Sequence, residues 1–392
     1  MKYIQNEFKV MKICLNYMIA IGSWEPYPIE GFSNVLFFCY GIFSYLLQTG
    51  FFTIGQVIDL CLIWGDVNLM TSTMFLLLTN IALSAKYFNY LLKKTAIRKV
   101  INESNDSIKD EVSIEGREFI QRNNFQSICI WYLYIALSYG SIAGWGLTAE
   151  KNSLPLRAWF PYDTKKSPAY QITYAYQLIA LFFSAFSNMS MDMVMINLMT
   201  QCRTRLQLLS LSLKTLGDDL QLTYNKKATP AQEAIMESRL RKCVRQHQSV
   251  LDTVTQLRDF IQVPTGIQFA VSMIIICVTA YQLAFESKNI TRTVVMGVYL
   301  VDMMLQVFLY CNEGNELLGE SSEVATAAYH CPWYTCSAGF RKKMVILMVR
   351  STRVTKIIAG GFFALSLPTF MAIIKASYTF FTMLQQVVED KM

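Results

Sequence analysis

The chain of 392 residues is 53% hydrophobic and only 16% charged, with a formal net charge of +7. So little polar surface excludes a soluble globular protein of this size and indicates a chain that crosses a membrane several times. Most of the basic excess lies in the connections between apolar stretches, so the charge does not indicate a nucleic-acid partner.

Seven apolar stretches are long enough to cross a bilayer, for which a helix needs roughly 20 residues. The predicted fold class is therefore an all-α polytopic membrane protein with seven transmembrane helices. The predicted spans are Ser33–Phe52, Val67–Tyr90, Ile128–Leu147, Ile172–Met199, Thr265–Phe285, Thr293–Cys311 and Ile357–Leu384.

The distribution of lysine and arginine predicts the orientation of these spans. One alternating set of connections holds 26 of the 35 basic residues, and the other set holds 7. Because basic loops remain in the cytoplasm, the N-terminus is expected to be cytoplasmic and the C-terminus extracellular. This orientation is the reverse of that of a G-protein-coupled receptor.

The N-terminal segment is expected to form a helix at the inner membrane interface. Phe8, Met11, Leu15 and Met18 recur at helical spacing. Lys12 and Asn16 interrupt the apolar run, so the segment does not resemble a secretory signal.

The second connection on the predicted outer side, Thr148–Gln171, contains the aromatic cluster Trp159–Asp163. This cluster is expected to fold over the extracellular mouth of the helix bundle. An interfacial aromatic belt is the alternative interpretation. By the predicted topology Cys61 is the sole cysteine in an outer loop, so no outer disulfide is expected.

Two long inner connections are predicted to be helical. Thr229, Pro230 and Gln232 form a helix start, and an apolar face then continues at helical spacing to Pro264, which predicts one helix that enters span five from the cytosol. The predicted organisation is 1–311 for spans one to six, including a cytoplasmic extension at 200–263, then a cytoplasmic anchor segment at 312–356. Residues 357–392 follow as the seventh span and a short outer tail.

Charged residues inside the spans normally face protein or water. Asp302 and Lys375 are at similar depths by residue count, and each left unpaired costs ~2.5–3.5 kcal/mol, so an ion pair between spans six and seven is predicted. Asp192 and Lys86 lie near the inner ends of their spans and are interpreted as snorkelling side chains.

The last span combines an apolar helix with Gly360-Gly361, Pro368 and several polar residues. It is interpreted as a helix that lines a conduit, although Ser and Thr side chains that bond their own backbone are the plainer alternative. One helix cannot enclose a water-filled path, so several copies must form a ring. The predicted pore residues are Ser377, Phe381, Thr382, Leu384 and Gln385.

No enzyme chemistry is evident in the sequence. Gly144–Ala149 matches a dinucleotide-binding pattern, but it ends a membrane helix and no strand precedes it. His330, Cys331 and Cys336 lack the paired spacing of a zinc site. No enzymatic activity, metal or cofactor is therefore predicted.

A series of short motifs runs through the last 80 or so residues. They are Tyr310-Cys311, Gly314–Leu317, Ser321-Ser322, Ala327–Tyr329, Pro332–Tyr334, Ile346–Arg350, Ala359–Phe363, Leu367–Phe370 and Lys375–Leu384. This run resembles the C-terminal part of insect odorant receptors. Pro368 and Ala376 depart from the residues that are common in that family.

The resemblance implies a subunit of a non-selective cation channel in the plasma membrane of olfactory sensory neurons. A small volatile organic ligand would open it, and monovalent and divalent cations would pass. The expected partners are membrane lipid and the odorant-receptor co-receptor, with which the chain would form a heterotetramer. The 64-residue connection after span four looks shorter than that of the co-receptor. In this respect the chain resembles an odour-tuning subunit.

Odorants are small and mostly apolar, so a pocket with aromatic walls and few polar groups is expected within the membrane. The family places its pocket among the outer halves of spans two to six. The candidate ligand-binding residues there are Met70, Thr73, Met74, Ser138, Ser141, Trp145, Tyr174, Gln177, Leu181, Tyr281, Val298 and Tyr299.

Two alternatives stay open at this point, a seven-helix G-protein-coupled chemoreceptor and a gustatory-type channel of the same superfamily. A transporter is disfavoured because the span count is odd and no repeated halves are evident.

Overall fold

The computed structural model describes residues 8–25, 31–109, 111–148, 154–164, 166–220, 227–286 and 290–389. The predicted outer tail beyond 389 and positions 149–153 of the predicted outer loop lie outside these ranges. The helices are α1 Lys9–Ala20, α2 Phe32–Tyr45, α3 Phe51–Leu62, α4 Val67–Leu92, α5 Lys94–Lys109, α6 Ile114–Thr148, α7 Ala169–Lys214, α8 Pro230–Tyr281, α9 Ile290–His330, α10 Ala338–Ser351 and α11 Leu367–Glu389. A two-stranded antiparallel ladder joins β1 Ile358–Ala359 to β2 Phe363–Ala364.

Within the described part of the chain, seven helical stretches are long and apolar enough to cross a membrane. They lie at each of the seven predicted positions, so the predicted fold class and span count are confirmed. The first span is α2 continued through a π-helical turn at Leu46–Gly50 into α3. The others are α4, α6, α7, α8, α9 and α11.

Three helices are much longer than a bilayer requires. α7, α8 and α9 contain 46, 52 and 41 residues, and a helix of 52 residues extends ~78 Å at ~1.5 Å per residue. Their apolar faces continue into one buried core with α1, α5 and α10, which includes Leu257, Val324 and Phe340. The helix bundle therefore has a membrane layer and a second helical layer that shares its longest helices.

The predicted start of α8 is confirmed. The Thr229 side chain accepts a hydrogen bond from the Gln232 amide, and the Gln232 side chain accepts one from the Thr229 amide at 2.8 Å, which completes a capping box. Pro264 lies inside the helix without ending it. The predicted continuous helix into span five is thus present.

The predicted N-terminal helix is also present, but its apolar face does not contact lipid. Phe8, Met11, Leu15 and Met18 are all buried in the main core, and α1 packs against α7. The Tyr17 hydroxyl donates a hydrogen bond to the Phe183 carbonyl at 3.0 Å. The interpretation as a helix that lies in the membrane interface is therefore wrong for this face, because α7 supplies the apolar surface.

The predicted helix of the seventh span begins ten residues too early. Residues 357–365 form a hairpin, and α11 begins at Leu367. Gly360 and Gly361 adopt positive φ angles of 60° and 80°, which non-glycine residues rarely adopt, and they form the turn of the hairpin. The Gly360 amide donates a 2.7 Å hydrogen bond to the Gln262 carbonyl, so the hairpin is fixed to α8.

Candidate functional site

A cavity of about 60 Å³ lies in the membrane bundle, lined by residues of α4, α6, α7 and α9. Helical spacing places successive contributors on one face of each helix, as at Ser138, Ser141 and Trp145 of α6. The lining is mixed, with apolar walls and several hydroxyl, amide and carboxylate groups. Its residues are Leu76, Thr79, Asn80, Leu83, Ser138, Ser141, Ile142, Trp145, Leu181, Ser184, Ala185, Asn188, Met189, Tyr299, Asp302 and Met303.

Two aromatic rings, Trp145 and Tyr299, form one wall of this site, and Phe75 packs against both. The ring centroids of Trp145 and Tyr299 are 5.2 Å apart, and Phe75 lies 5.5 Å from each. Such spacing is typical of stabilising aromatic pairs. The Tyr299 hydroxyl shares a 2.7 Å hydrogen bond with Thr79, which fixes the ring.

Asp302 supplies a carboxylate to the cavity, and its side chain is only 4% exposed. Its Oδ2 accepts a 2.8 Å hydrogen bond from the Ser138 hydroxyl, whereas its Oδ1 is buried with no hydrogen-bond partner among the described residues. Lys375 lies on an exposed face of α11. The ion pairs of the described chain do not include one between these two residues, so the predicted pairing within the subunit is wrong. The two residues lie at similar depths along their helices, but their side chains do not face each other.

A different pair of charges is buried beneath the cavity. Lys86 Nζ lies 2.5 Å from Asp192 Oδ1, and the two side chains are 1% and 0% exposed. The interpretation of both as snorkelling side chains is therefore wrong. Lys86 also donates a 2.8 Å hydrogen bond to Asn188, which lines the cavity.

Asp192 is the centre of a wider buried network. It accepts hydrogen bonds from the Tyr134 hydroxyl at 3.0 Å, the Tyr310 hydroxyl at 2.7 Å and the Gln306 amide at 2.5 Å. Gln306 in turn accepts a 2.8 Å hydrogen bond from Gln268 of α8. The network joins α4, α6, α7, α8 and α9, and it reaches the helix against which α11 packs.

The structure brings some of the predicted ligand-binding residues into one cavity. Ser138, Ser141, Trp145, Leu181 and Tyr299 line it. Met70 and Met74 instead line a second, more open cavity of about 560 Å³ between α4, α8 and α11.

The remaining predicted ligand-binding residues are placed elsewhere. Thr73 donates to Asp59, Tyr174 to the Gly146 carbonyl and Gln177 to the Leu156 carbonyl. The Tyr281 ring packs against Phe285, and half-buried Val298 lines neither of the two cavities.

Sequence reasoning missed four polar lining residues, Thr79, Asn80, Ser184 and Asn188. A signal for them was present, because Thr79 and Asn80 are adjacent polar residues in an apolar helix, and Ser184 and Asn188 are four residues apart on one helical face.

The described loop residues 154–164 close one end of the bundle. Leu156 exchanges two hydrogen bonds with Gln177, and the Trp159 amide donates to the Gly55 carbonyl at 3.1 Å. Arg157 pairs with Asp59 at 2.8 Å. These contacts fix the loop to the helix ends, while the Trp159 and Tyr162 side chains are 40% and 48% exposed. That the aromatic cluster folds over the extracellular mouth stays a prediction.

The α11 helix has two different faces. Ser377 is buried and donates to the Ile373 carbonyl, Phe381 stacks on Phe285, and Leu384 lines the second cavity. Gln385 is half-buried beside them. The opposite face carries Lys375, Thr379, Thr382 and Gln386, which recur at helical spacing and are exposed or half-exposed. We call these four residues the polar stripe of α11.

The described chain is a seven-span helical bundle with an internal cavity of mixed polarity, which is the architecture of a polytopic membrane protein. The chain belongs to the 7tm odorant receptor family, whose model matches residues 66–378. It is 24% identical to Odorant receptor Or1 of Anopheles gambiae over 98% of this chain and 96% of that one. It is 23% identical to Odorant receptor 94a of Drosophila melanogaster over 98% of each.

The fold is also that of a solved insect receptor. The structure of olfactory receptor OR5 from Machilis hrabei in complex with eugenol superposes with a TM-score of 0.80 at 19% identity. The match covers 97% of this chain and 98% of that one.

Proposed function

We propose that this protein is the odour-tuning subunit of a ligand-gated, non-selective cation channel that assembles with the odorant-receptor co-receptor. A small volatile ligand would bind in the cavity between α4, α6, α7 and α9, and α11 would line the pore. The observation that carries this proposal is the polar stripe of α11, which faces away from its own bundle. A polar stripe on a membrane helix requires water or protein beside it.

Ligand binding is supported by the cavity between the helices and by its aromatic wall. Eugenol, which is bound to the Machilis hrabei receptor, is itself a small aromatic molecule, and the cavity here offers Trp145, Tyr299 and several hydroxyl groups. The second cavity, next to Met70 and Met74, is open and almost wholly apolar, which suits lipid tails better than a selective ligand.

A route from ligand to pore is offered by the buried network. Asn188 at the cavity contacts Lys86, and Asp192 and Gln306 continue the contacts to Gln268 of α8. Because α8 carries the hairpin and packs against α11, a ligand that prefers one arrangement of α7 and α9 would bias the position of α11.

The charge distribution supports insertion with a cytoplasmic N-terminus and an extracellular C-terminus. Membership of the odorant receptor family supports a location in the plasma membrane of olfactory sensory neurons. This orientation separates the channel from the alternative of a G-protein-coupled chemoreceptor. An epitope tag at the C-terminus should be labelled on intact cells.

The decisive experiment is to express the chain with and without the co-receptor in cells that lack G-protein signalling, and to record membrane current during application of an odorant panel. We expect odour-evoked cation current only when both subunits are present. Current that requires G proteins, together with a tag labelled only after permeabilisation, would contradict the proposal and favour the G-protein-coupled receptor.

A further inference from the structure

We propose that the cavity selects small organic amines, whose ammonium group pairs with the Asp302 carboxylate. This inference rests on the proposed function and names the chemical class of its ligand. It follows from three features of the site: the unpaired charge of Asp302, a carboxylate oxygen without a hydrogen-bond partner among the described residues, and the aromatic residues in the cavity wall.

The buried charges around the cavity do not balance. Lys86 is fully buried and lies on Asp192, so those two charges compensate each other. Asp302 lies in the cavity wall and no lysine, arginine or histidine pairs with it in the described residues. A cation bound beside Asp302 would balance the second carboxylate, because an unpaired charge in a low-dielectric interior is strongly unfavourable.

The hydrogen bonds of Asp302 leave room for a cationic donor. The Ser138 hydroxyl donates a hydrogen bond to Asp302 Oδ2, and Asp302 Oδ1 is buried without a hydrogen-bond partner among the described residues. A carboxylate oxygen accepts hydrogen bonds and cannot donate them, and charge-assisted bonds to an ammonium group are the strongest that it forms. A ligand ammonium group would therefore satisfy both the charge and the open acceptor.

The walls favour an organic ammonium group over a metal ion. Trp145 and Tyr299 line the cavity with Phe75 behind them, and aromatic faces attract organic cations. A hard metal ion prefers six or more oxygen ligands, and no cluster of three acidic, histidine or cysteine residues is found in the described ranges.

The size of the cavity limits the ligand. About 60 Å³ is several times the ~10–15 Å³ that one water requires, so a few non-hydrogen atoms fit. Leu76, Ile142 and Leu181 provide apolar surface for a short alkyl group. Primary amines with short chains are the expected class, and at neutral pH such amines are protonated, as the lysine side chain is at its pKa of ~10.4.

The test uses the complete channel with the co-receptor and a series of primary alkylamines of one to six carbons. The 1-alkanols of equal length serve as neutral counterparts. We expect short amines to evoke current at concentrations at least about tenfold lower than their alcohols do, as a charge-assisted bond predicts. Asp302→Asn should remove this preference, whereas Asp302→Glu should retain part of it. Asp252→Asn, an exposed carboxylate on α8, is the matched control and should leave the preference intact.

The outcomes separate the two proposals. If neutral odorants evoke current but no amine is preferred, or if Asp302→Asn keeps the amine preference, the amine assignment is wrong and the channel assignment stands. If no compound in the panel evokes current in a complex that reaches the cell surface, the channel assignment fails. A loss of all current in Asp302→Asn, with normal amine preference in Asp302→Glu, would still support a requirement for the negative charge.

Discussion

The ion pair between Lys86 and Asp192 is the most deeply buried charged contact of the described membrane layer. Two tyrosine hydroxyls and two amide side chains complete its hydrogen bonds. A buried ion pair contributes little net stability compared with an apolar pair of the same shape, but the loss of one partner leaves a charge without compensation. The pair therefore makes the packing of α4 against α7 sensitive to either residue.

We expect Lys86→Met to destabilise the protein by about 3–5 kcal/mol, because it leaves Asp192 charged and unpaired in the core. The measurement is the midpoint of thermal unfolding in detergent, together with the fraction of protein that reaches the cell surface. The double variant Lys86→Met with Asp192→Asn should recover part of the loss.

Lys375→Met is the matched control for this prediction. Lys375 is exposed on α11, so its removal should change stability by no more than about 0.5 kcal/mol. Equal unfolding midpoints for Lys86→Met and Lys375→Met would show that the buried pair has no special role in the fold.

At the scale of elements, the hairpin that precedes α11 determines where the last helix begins. It packs against α8 through an unusually close backbone contact. A Cβ atom added to Gly266 would lie 2.5 Å from the Gly360 Cα atom, and one added to Gly314 of α9 would lie 2.3 Å from the Leu365 Cβ atom. Both distances are too short for the present packing, so the hairpin requires small residues on both helices.

Gly266→Ala should therefore displace the hairpin and destabilise the protein by about 1–3 kcal/mol, the usual cost of overpacking. Unfolding in detergent measures the loss, and the concentration dependence of odour-evoked current shows whether α11 has shifted. Gly297→Ala on α9 is the matched control, because a Cβ atom there meets no heavy atom within 4 Å. Equal stability of the two variants would exclude a tight hairpin contact.

The hydrogen bond between Gln268 of α8 and Gln306 of α9 leads to a second prediction at the scale of helices. Gln268→Leu removes the hydrogen bond to Gln306 while it preserves an apolar helix face. We expect a reduced maximal current or a higher half-activating odorant concentration, because α8 would no longer follow changes at the cavity. A double-mutant cycle with Asn188→Ala measures the coupling, and additive effects would contradict a shared network.

At the scale of the whole molecule, the polar stripe of α11 predicts which residues meet water in the assembled channel. Cysteines placed at Thr379, Thr382 and Gln386 should react with water-borne thiol reagents during odour stimulation, whereas cysteine at buried Ser377 should not. Loss of current on labelling is the measurement. Equal inertness at all four positions would contradict a water-filled path along the stripe.

The native cysteines set the background of that experiment. Cys39, Cys61 and Cys129 are exposed and need to be replaced first. Cys14 and Cys331 are buried outside the spans, and burial raises the pKa of each thiol to about 12. Because the pKa lies well above a labelling pH of about 7, these thiols stay neutral and react slowly.

Lys375 begins the polar stripe and places a positive charge beside the proposed cation path. Repulsion by this charge is stronger for a divalent than for a monovalent cation. We expect Lys375→Gln to raise the permeability of calcium relative to sodium, as measured by the reversal potential of the odour-evoked current. An unchanged ratio would place Lys375 outside the path.

The sequence by itself determined the number of spans, the class of fold and the long helix that starts at Thr229. These features depend on apolar runs and capping residues that are local in the chain, so hydropathy and spacing were sufficient. The sequence also indicated the pocket region, and Ser138, Trp145 and Tyr299 were found in one cavity. The predicted orientation and pore residues stay predictions, although of the five predicted pore residues Thr382 alone belongs to the polar stripe of α11.

Only the tertiary structure decided which polar side chains meet. Residue counting gives the depth of a side chain along its helix, but not its direction around the helix axis, which depends on how the helices pack. For that reason Asp302 and Lys375 were predicted to pair and do not, whereas Lys86 and Asp192 were interpreted as snorkelling side chains and are in contact. The same reason applies to Gly360 and Gly361, where the close approach of α8 makes a hairpin from residues that hydropathy assigns to a helix.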